Sequence, residues 1–407
     1  MNDKQENKPG AARPRVIGQD MHPDVFTAAA LCPTGHDASQ ARVHWVHDRQ
    51  KTEELEQWAG RHLRKTDVVV LEASGNSFEV AHRLHQCGHT ALVLESEQAS
   101  AIKDKFCNDD RFSAVKLARA WLTGLAKQVW QPDATVREHR EVFIAHRNAV
   151  KDATRTRNRI RSYLNEHCIR LKAGTALTDE KTLKMLLAKK AWSDLQGQLL
   201  EGLFTQLWQA EQRRERLERI MVQELAARPV WAQLWRLMGI RHRVAFGLMA
   251  ILGDIHRFAT AKKLVGYLGL CPRRDQSGIN AKGHEKGLGH CGRADLRSLL
   301  LQSAQNALTQ RSSPLHKWGW KLTVRKHRNL AAAAVARKLT VSIWYLLMAY
   351  YTELNEPTQH LTDKLLKLAT LLGKDLLRKS GFASRDAFVQ QQLVNLQNLP
   401  KNLPLPS

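Results

Sequence analysis

Between Val16 and about Trp130 the apolar positions keep changing period, from short alternating or unbroken runs to stretches spaced by three and four. The runs 15–20, 25–31, 41–46, 67–73 and 90–94 predict strands; 51–63, 77–87 and 113–125 predict helices. Asp67-Val-Val-Val-Leu-Glu-Ala73 is nearly all apolar, as a central strand covered on both faces must be. After a polar opening at 1–14, residues 15–131 therefore read as an α/β domain with a mixed sheet.

Pro132 changes the pattern to a helical one. Val136, Phe143, Val150, Ala153, Ile160 and Leu164 recur at helical steps, and the other faces carry Arg137, Arg140, Arg147, Lys151, Arg155, Arg157, Arg159 and Arg161. A solvated face and a face that tracks phosphates both explain such charge; the scarcity of acids favours the second. Residues 181–227 read as continued helix with a stripe of Leu199, Leu203, Leu207, Leu217, Met221 and Leu225, leaving Glu215, Arg216, Glu218 and Arg219 outside it. Such a stripe suits a helical hairpin or an oligomerising coiled coil over 132–228. After the break at Pro229, 237–240 and 245–253 read as two helical pieces around a glycine turn, and 296–308 and 329–351 complete a small all-α domain over 229–352. The remainder, 353–407, reads as an amphipathic basic tail that turns polar after Ser380, an accessory end.

Charge narrows the partner. The 407 residues carry 63 Lys and Arg against 39 Asp and Glu, a formal charge of +24, which points to a polyanion and first to nucleic acid. A membrane surface is the competing partner, but no amphipathic anchor stands out and the apolar run 339–351 is too short to span a bilayer. The polar N-terminal stretch argues against a signal peptide, and six cysteines without a CxxC pair fit reduced thiols, so a cytoplasmic protein is expected. Cys271, His290 and Cys291 match no common zinc spacing.

Two groups of residues carry candidate chemistry. Asp20 ends the first strand, Glu72 ends the central one, and Asp109-Asp110 precede a helix expected near Ser113. Carboxylates at neighbouring strand ends and a helix start can converge on Mg2+, and such ions stabilise both oxygens of a phosphodiester under attack. Far downstream, Ser277-Gly278 sits among Arg273, Arg274, Lys282, Lys286, Arg293 and Arg297. A serine so placed can attack a phosphate whose charge the cations neutralise; the same residues also suit a plain turn on a DNA-facing loop.

Taken in order, these motifs resemble the DEDD transposases of the insertion sequence 110 type, including the related 1111 subgroup and Piv-type DNA invertases. The resemblance rests on Val16-Ile-Gly-Gln-Asp20, Leu71-Glu-Ala-Ser-Gly75, Asn108-Asp-Asp-Arg-Phe-Ser-Ala-Val-Lys-Leu-Ala118, Leu252-Gly-Asp-Ile-His-Arg-Phe258, Leu264-Val-Gly-Tyr-Leu-Gly-Leu-Cys-Pro-Arg273, Gln276-Ser-Gly278 and Gly292-Arg-Ala-Asp-Leu-Arg-Ser-Leu-Leu300, and covers about 15–351. It implies a ribonuclease-H-like, RuvC-like domain binding Mg2+ through Asp20, Glu72 and Asp110, a coiled-coil segment, and a C-terminal transposase domain with Ser277 as nucleophile. It also implies a covalent phosphoserine intermediate with the DNA of the element ends and target, a structured guide RNA, and a homo-oligomeric synapse. Backbone binding then falls to Arg147, Lys151, Arg155, Arg159, Arg273, Arg274, Lys282, Lys286, Arg293 and Arg297.

Two positions depart from the pattern. Ser113 stands where the family has its fourth acid, a weak metal ligand in place of a strong one, and Gly239-Ile-Arg-His-Arg243 replaces a glycine-proline turn. Three readings follow: an active transposase or recombinase, a nucleic-acid-binding derivative of the same fold that has lost cleavage, and a nuclease in which water attacks instead of serine.

Overall fold

The structure is a computed structural model that describes residues 15–33, 41–96, 98, 109–172, 174–275, 284–289, 291–310, 313–349 and 358–399. The chain divides into two compact units between Asp133 and Ala134.

The first unit is built on five strands, β1 (Val16–Met21), β2 (Val25–Cys32), β3 (Arg42–Lys51), β4 (Val68–Glu72) and β5 (Thr90–Leu94), in the order β3-β2-β1-β4-β5. β1, β2 and β3 are antiparallel, whereas β4 and β5 run parallel to β1. Alternation along the strands sorts the side chains onto two cores. Ile17, Phe26, Val69, Leu71 and Val93 pack under α1 (Leu55–His62) and α2 (Ser77–Gln86). Val16, Ala29, Leu31, Val70 and Leu94 pack under α3 (Asp110–Leu122).

Two features fix how β1, β4 and α3 meet. Arg15, just before β1, donates Nε to Asp67 Oδ1 at 3.1 Å and Nη2 to Asp67 Oδ2 at 2.5 Å, just before β4, and both side chains are buried. This fork locks the parallel register at the entry of the two strands. On β1, a Cβ at Gly18 would lie 1.8 Å from the Ala114 carbonyl oxygen of α3, so only glycine allows this approach. α3 starts at Asp110, earlier than the expected Ser113, because Asp109 caps it by accepting from Arg111 N–H at 3.3 Å. β3 runs to Lys51, past the expected Val46, through two register shifts against β2.

In the second unit α4 (Ala134–Glu166) packs along α6 (Asp194–Ala226). The expected continuous helix over 181–227 is two: α5 (Glu180–Leu187) ends before Ser193, which opens α6 with a reciprocal Ser193–Gln196 capping box. Along α6 the expected stripe largely holds, with Leu207, Met221 and Leu225 buried. Leu199, expected in the stripe, is 61% exposed, while Leu200, Phe204, Leu207 and Ala210 are buried. Glu218, expected outside, is buried too.

The far half of this helix pair has its own apolar cluster around Ile160, Leu164 and Phe204. The near half, through Phe143, Met221 and Leu225, shares one core with α7 (His242–Leu252), α8 (Ala261–Tyr267), α9 (Ala294–Thr309), α10 (Pro314–Arg325) and α11 (Arg328–Leu347). Residues 237–240, expected to be helical, form a turn in which Gly239 has φ +81° and lies so close to Ser303 that a Cβ would sit 2.8 Å from its carbonyl oxygen. α10 was not anticipated. α11 is long and apolar enough to cross a membrane by length and composition, but its apolar residues line this core.

Between α8 and α9 a hairpin of β6 (Pro272–Asp275) and β7 (His284–Leu288) pairs Arg273 with Lys286 and Asp275 with His284. The region read as a tail forms α12 (Thr358–Lys379), bent at Gly373, and α13 (Arg385–Gln397). Leu361, Leu365, Leu368, Phe388, Val389 and Leu396 recur at helical steps, and their burial brings both helices into the core. The Gln-rich neighbours had hidden that pattern.

Candidate functional site

The first unit presents its acids at the carboxyl ends of β1 and β4. The register pairs Gln19 with Leu71, which sets Asp20 level with Glu72 on the adjacent parallel strand, both on the α3 side of the sheet. α3 brings Asp110 to the same corner, and Ser113, one turn on, is buried beneath it. Ligand atoms of Asp20, His22 and Asp110 lie within 4.8 Å of one another, and His22 Nε2 is 3.5 Å from Asp110 Oδ1. Glu72 is outside that group. The backbone of His22 is held from two sides, its carbonyl accepting from Thr52 Oγ1 at 3.3 Å and Asn76 Nδ2 at 3.2 Å.

An anchor steadies the start of α3. Arg111 Nη2 pairs with Asp48 of β3 at 2.8 Å, and Asp48 also accepts from Thr27 Oγ1 at 2.8 Å. The Thr27 hydroxyl first, then Arg111, hold the Asp48 carboxyl below the usual carboxylate range. Thr27 pairs with Asp20 across β1 and β2, so the anchor ties α3 to the strand beside the acids. Neither His22 nor this anchor was anticipated. His22 follows Asp20 by two residues, the spacing that returns a side chain to one face of an extended chain, and that was the readable signal.

In the second unit, Arg297 Nη1 donates to the carbonyls of Gly269 at 3.3 Å, Gly289 at 2.9 Å and Cys291 at 2.9 Å, gathering the foot of the β6–β7 hairpin. Ser277 and Lys282 fall in the connection of that hairpin, outside the described residues. Arg273, Arg274 and Lys286 are on its strands, with side chains outside the described set.

A model described as "Transposase IS116/IS110/IS902 family" matches residues 232–318, which contain the hairpin, and a DEDD model of the IS110 group, described as "Transposase", matches 17–169, which contain the acids. The two matches together span more than half of the chain. The chain belongs to the IS110 family of transposases. It is 24% identical over 339 residues to the transposase for insertion sequence element IS1111A of Coxiella burnetii, covering 82% of this chain and 89% of that one. It is 25% identical over 288 residues to a Pseudomonas aeruginosa protein named "Probable family 20 transposase", covering 69% and 83%.

As a transposase the protein acts on DNA, and its DEDD family uses a divalent metal. The donors fit such an ion: carboxylates of Asp20 and Asp110 with the imidazole of His22 form a hard oxygen set with one nitrogen. Among the cations read from the sequence as phosphate contacts, several bind within the transposase itself. Arg293 holds Asp295 through two bonds, at 3.2 and 2.7 Å, and Arg147 reaches the same carboxylate at 3.5 Å. Arg140 donates to the carbonyls of Ala250 and Ile251 at the end of α7. Arg155 pairs with Asp152 at 3.3 Å, while Lys151 and Arg159 are exposed on α4.

Proposed function

We propose that this transposase cuts and rejoins DNA of an insertion sequence through a ribonuclease-H-like domain over 15–131, a helical segment over 132–228 and a serine-bearing domain over 229–352. The observation that carries the reading is the convergence of Asp20 and Asp110 from β1 and α3, beside Glu72, in a chain whose second family match contains Ser277. Asp20 and Asp110 with His22, and Glu72 beside them, would hold Mg2+, with Ser113 as a neutral neighbour. The ion supplies Lewis-acid charge to a phosphodiester held against it. The hydroxyl of Ser277 forms a bond to phosphorus, the bond to the outgoing sugar oxygen breaks, the serine proton passes to solvent and the departing oxygen takes up a proton. Rejoining reverses these transfers with a second strand. A structured guide RNA pairs with donor and target DNA, and a homo-oligomer brings serines and acidic corners together.

The test incubates the protein with element-end DNA, target DNA, candidate RNA from the flanking sequence and Mg2+. A covalent protein–DNA adduct that disappears in Ser277→Ala, with DNA binding retained, is the expected result. Cleavage undiminished in that variant assigns the attack to water instead. Ser113 favours a second reading, a binding protein that has lost cleavage, and an absent adduct in the unaltered chain together with intact DNA binding supports it.

A further inference from the structure

A cavity of about 580 Å³ opens in the second unit between the Gly239 turn, α9 and α12. Arg241, Arg243 and Lys367 line it, His360 joins them, and Gln302 and Asn306 of α9 add amide donors; Asp363 is the acid among its lining residues. Among the described residues no side chain caps the N-terminus of α7, whose first residues belong to the wall, so its dipole adds to the positive potential. Arg243 Nη2 is fixed on its inner side by Glu218 at 2.7 Å, and its Nε is buried with no hydrogen-bond partner among the described residues.

The wall on the α12 side is built in. Lys364 Nζ donates to the carbonyls of Trp235 at 2.6 Å and Leu237 at 3.3 Å, and Leu361, Leu365 and Leu368 are buried in the core. α12 lies beyond both family matches, the later of which ends at residue 318. Most of the cavity lining therefore lies inside the segment matched by the family model, and one wall comes from a helix outside it.

We infer that this cavity is a phosphodiester-binding site, gripping one stretch of nucleic-acid backbone between Arg241 and Arg243 on one wall and Lys367 on the other. Cations on facing walls with amide donors between them suit an oxyanion with several acceptor oxygens. The lining is too polar for an apolar ligand and too basic for a metal ion. The backbone belongs either to duplex DNA or to a single-stranded RNA segment, and the transposase reading enters only through that choice of source.

The test uses the full chain carrying Ser277→Ala, so that binding is read without chemistry and failure of the serine reading leaves it untouched. Fluorescence anisotropy over a salt series compares this chain with one that also carries Arg241→Glu and Lys367→Glu, on a random-sequence DNA duplex and on a single-stranded RNA of equal length. Affinity is expected to fall about tenfold or more on at least one, with the salt slope shallower by about 1 to 2. Loss on the duplex alone assigns the site to DNA, loss on RNA alone to RNA, and loss on both to whichever backbone is present. Unchanged affinity and slope on both, at an unchanged unfolding midpoint, overturn the inference. Should the charge reversals unfold the chain, Arg241→Gln and Lys367→Gln separately must each lower the slope by about 1, and unchanged slopes overturn it equally.

Discussion

Histidine meets carboxylate at several places in this transposase, and two of them behave as opposites. At the end of β1, His22 and Asp110 keep 52% and 45% of their side-chain surface, and the cluster opens to solvent. Inside the second unit, His146 and Glu218 keep 5% each, with Nε2 3.1 Å from Oε1. Glu218 is also met by Arg214 at 2.9 Å, Arg243 at 2.7 Å and His242 at 3.5 Å. Burial alone raises the Glu218 carboxyl, but the hydrogen bonds from His146 and His242 and the Arg243 charge outweigh it, and the group is held far below the usual carboxylate range. A carboxylate already neutralised by fixed cations has no use for a metal ion. An exposed pair of acids at a strand end and a helix start can hold one. Residue type does not separate the two places; the charge supplied by neighbouring helices does.

Removing Glu218 gives the largest effect. Glu218→Ala leaves Arg214 and Arg243 facing each other without their acid and lowers stability by about 3 to 5 kcal/mol, read as the denaturant midpoint; a shift under about 1 kcal/mol contradicts the structural role.

Ser113→Asp sharpens the contrast from the other side. The side chain is buried, so a carboxylate there destabilises the metal-free chain by about 1 to 3 kcal/mol and recovers in excess divalent ion. Thermal unfolding with and without Mg2+ checks this, and equal losses in both place position 113 away from the ion.

Acidification probes the buried network. Burial lowers the His242 pKa, and the Glu218 pKa is depressed, so in both cases the unfolded chain binds more protons than the folded one. Stability therefore falls as pH drops below about 6.5 through His242, and again below about 4.3 through Glu218. Denaturant midpoints across this range should fall with a slope that flattens in His242→Gln below neutrality; an unchanged slope removes His242 from the network.

His22→Ala gives the smallest effect, a loss of about tenfold in divalent-ion affinity by calorimetry, at an unchanged unfolding midpoint. Unaltered affinity excludes the imidazole from the ligand set.

Much of the first unit was legible because most of its strands are short and their period sharp; β3, the long one, was not. The runs at 25–31 and 90–94 reappear as β2 and β5 within a residue at each end. Asp20, Glu72 and Asp110 were readable as strand-end and helix-start acids, and the structure sets Asp20 beside Glu72 and brings Asp110 to Asp20. The long helices were harder. Glu218 and His146 are polar residues on buried faces, and a pattern of apolar positions assigns such residues to solvent unless their partners on another helix are known. In α6 the expected stripe kept Leu207, Met221 and Leu225 and missed at Leu199, in the first turns after the Ser193 cap, where Leu200 is buried instead. His22 was missed because it is one residue past the end of β1, where strand periodicity stops being counted.

The Arg15–Asp67 fork carries a consequence for inheritance. A strand has parity: slipping β1 by one residue against β4 would turn Asp20 toward the opposite face and present Gln19 in its place. The fork sits at the entry of both strands, about 16 Å from the acids at 3.3 Å per residue. It touches none of the acids, yet it sets which residue of β1 faces α3. If the proposed site holds, substitutions at Arg15 that leave a folded sheet silence the protein while every acid is still encoded.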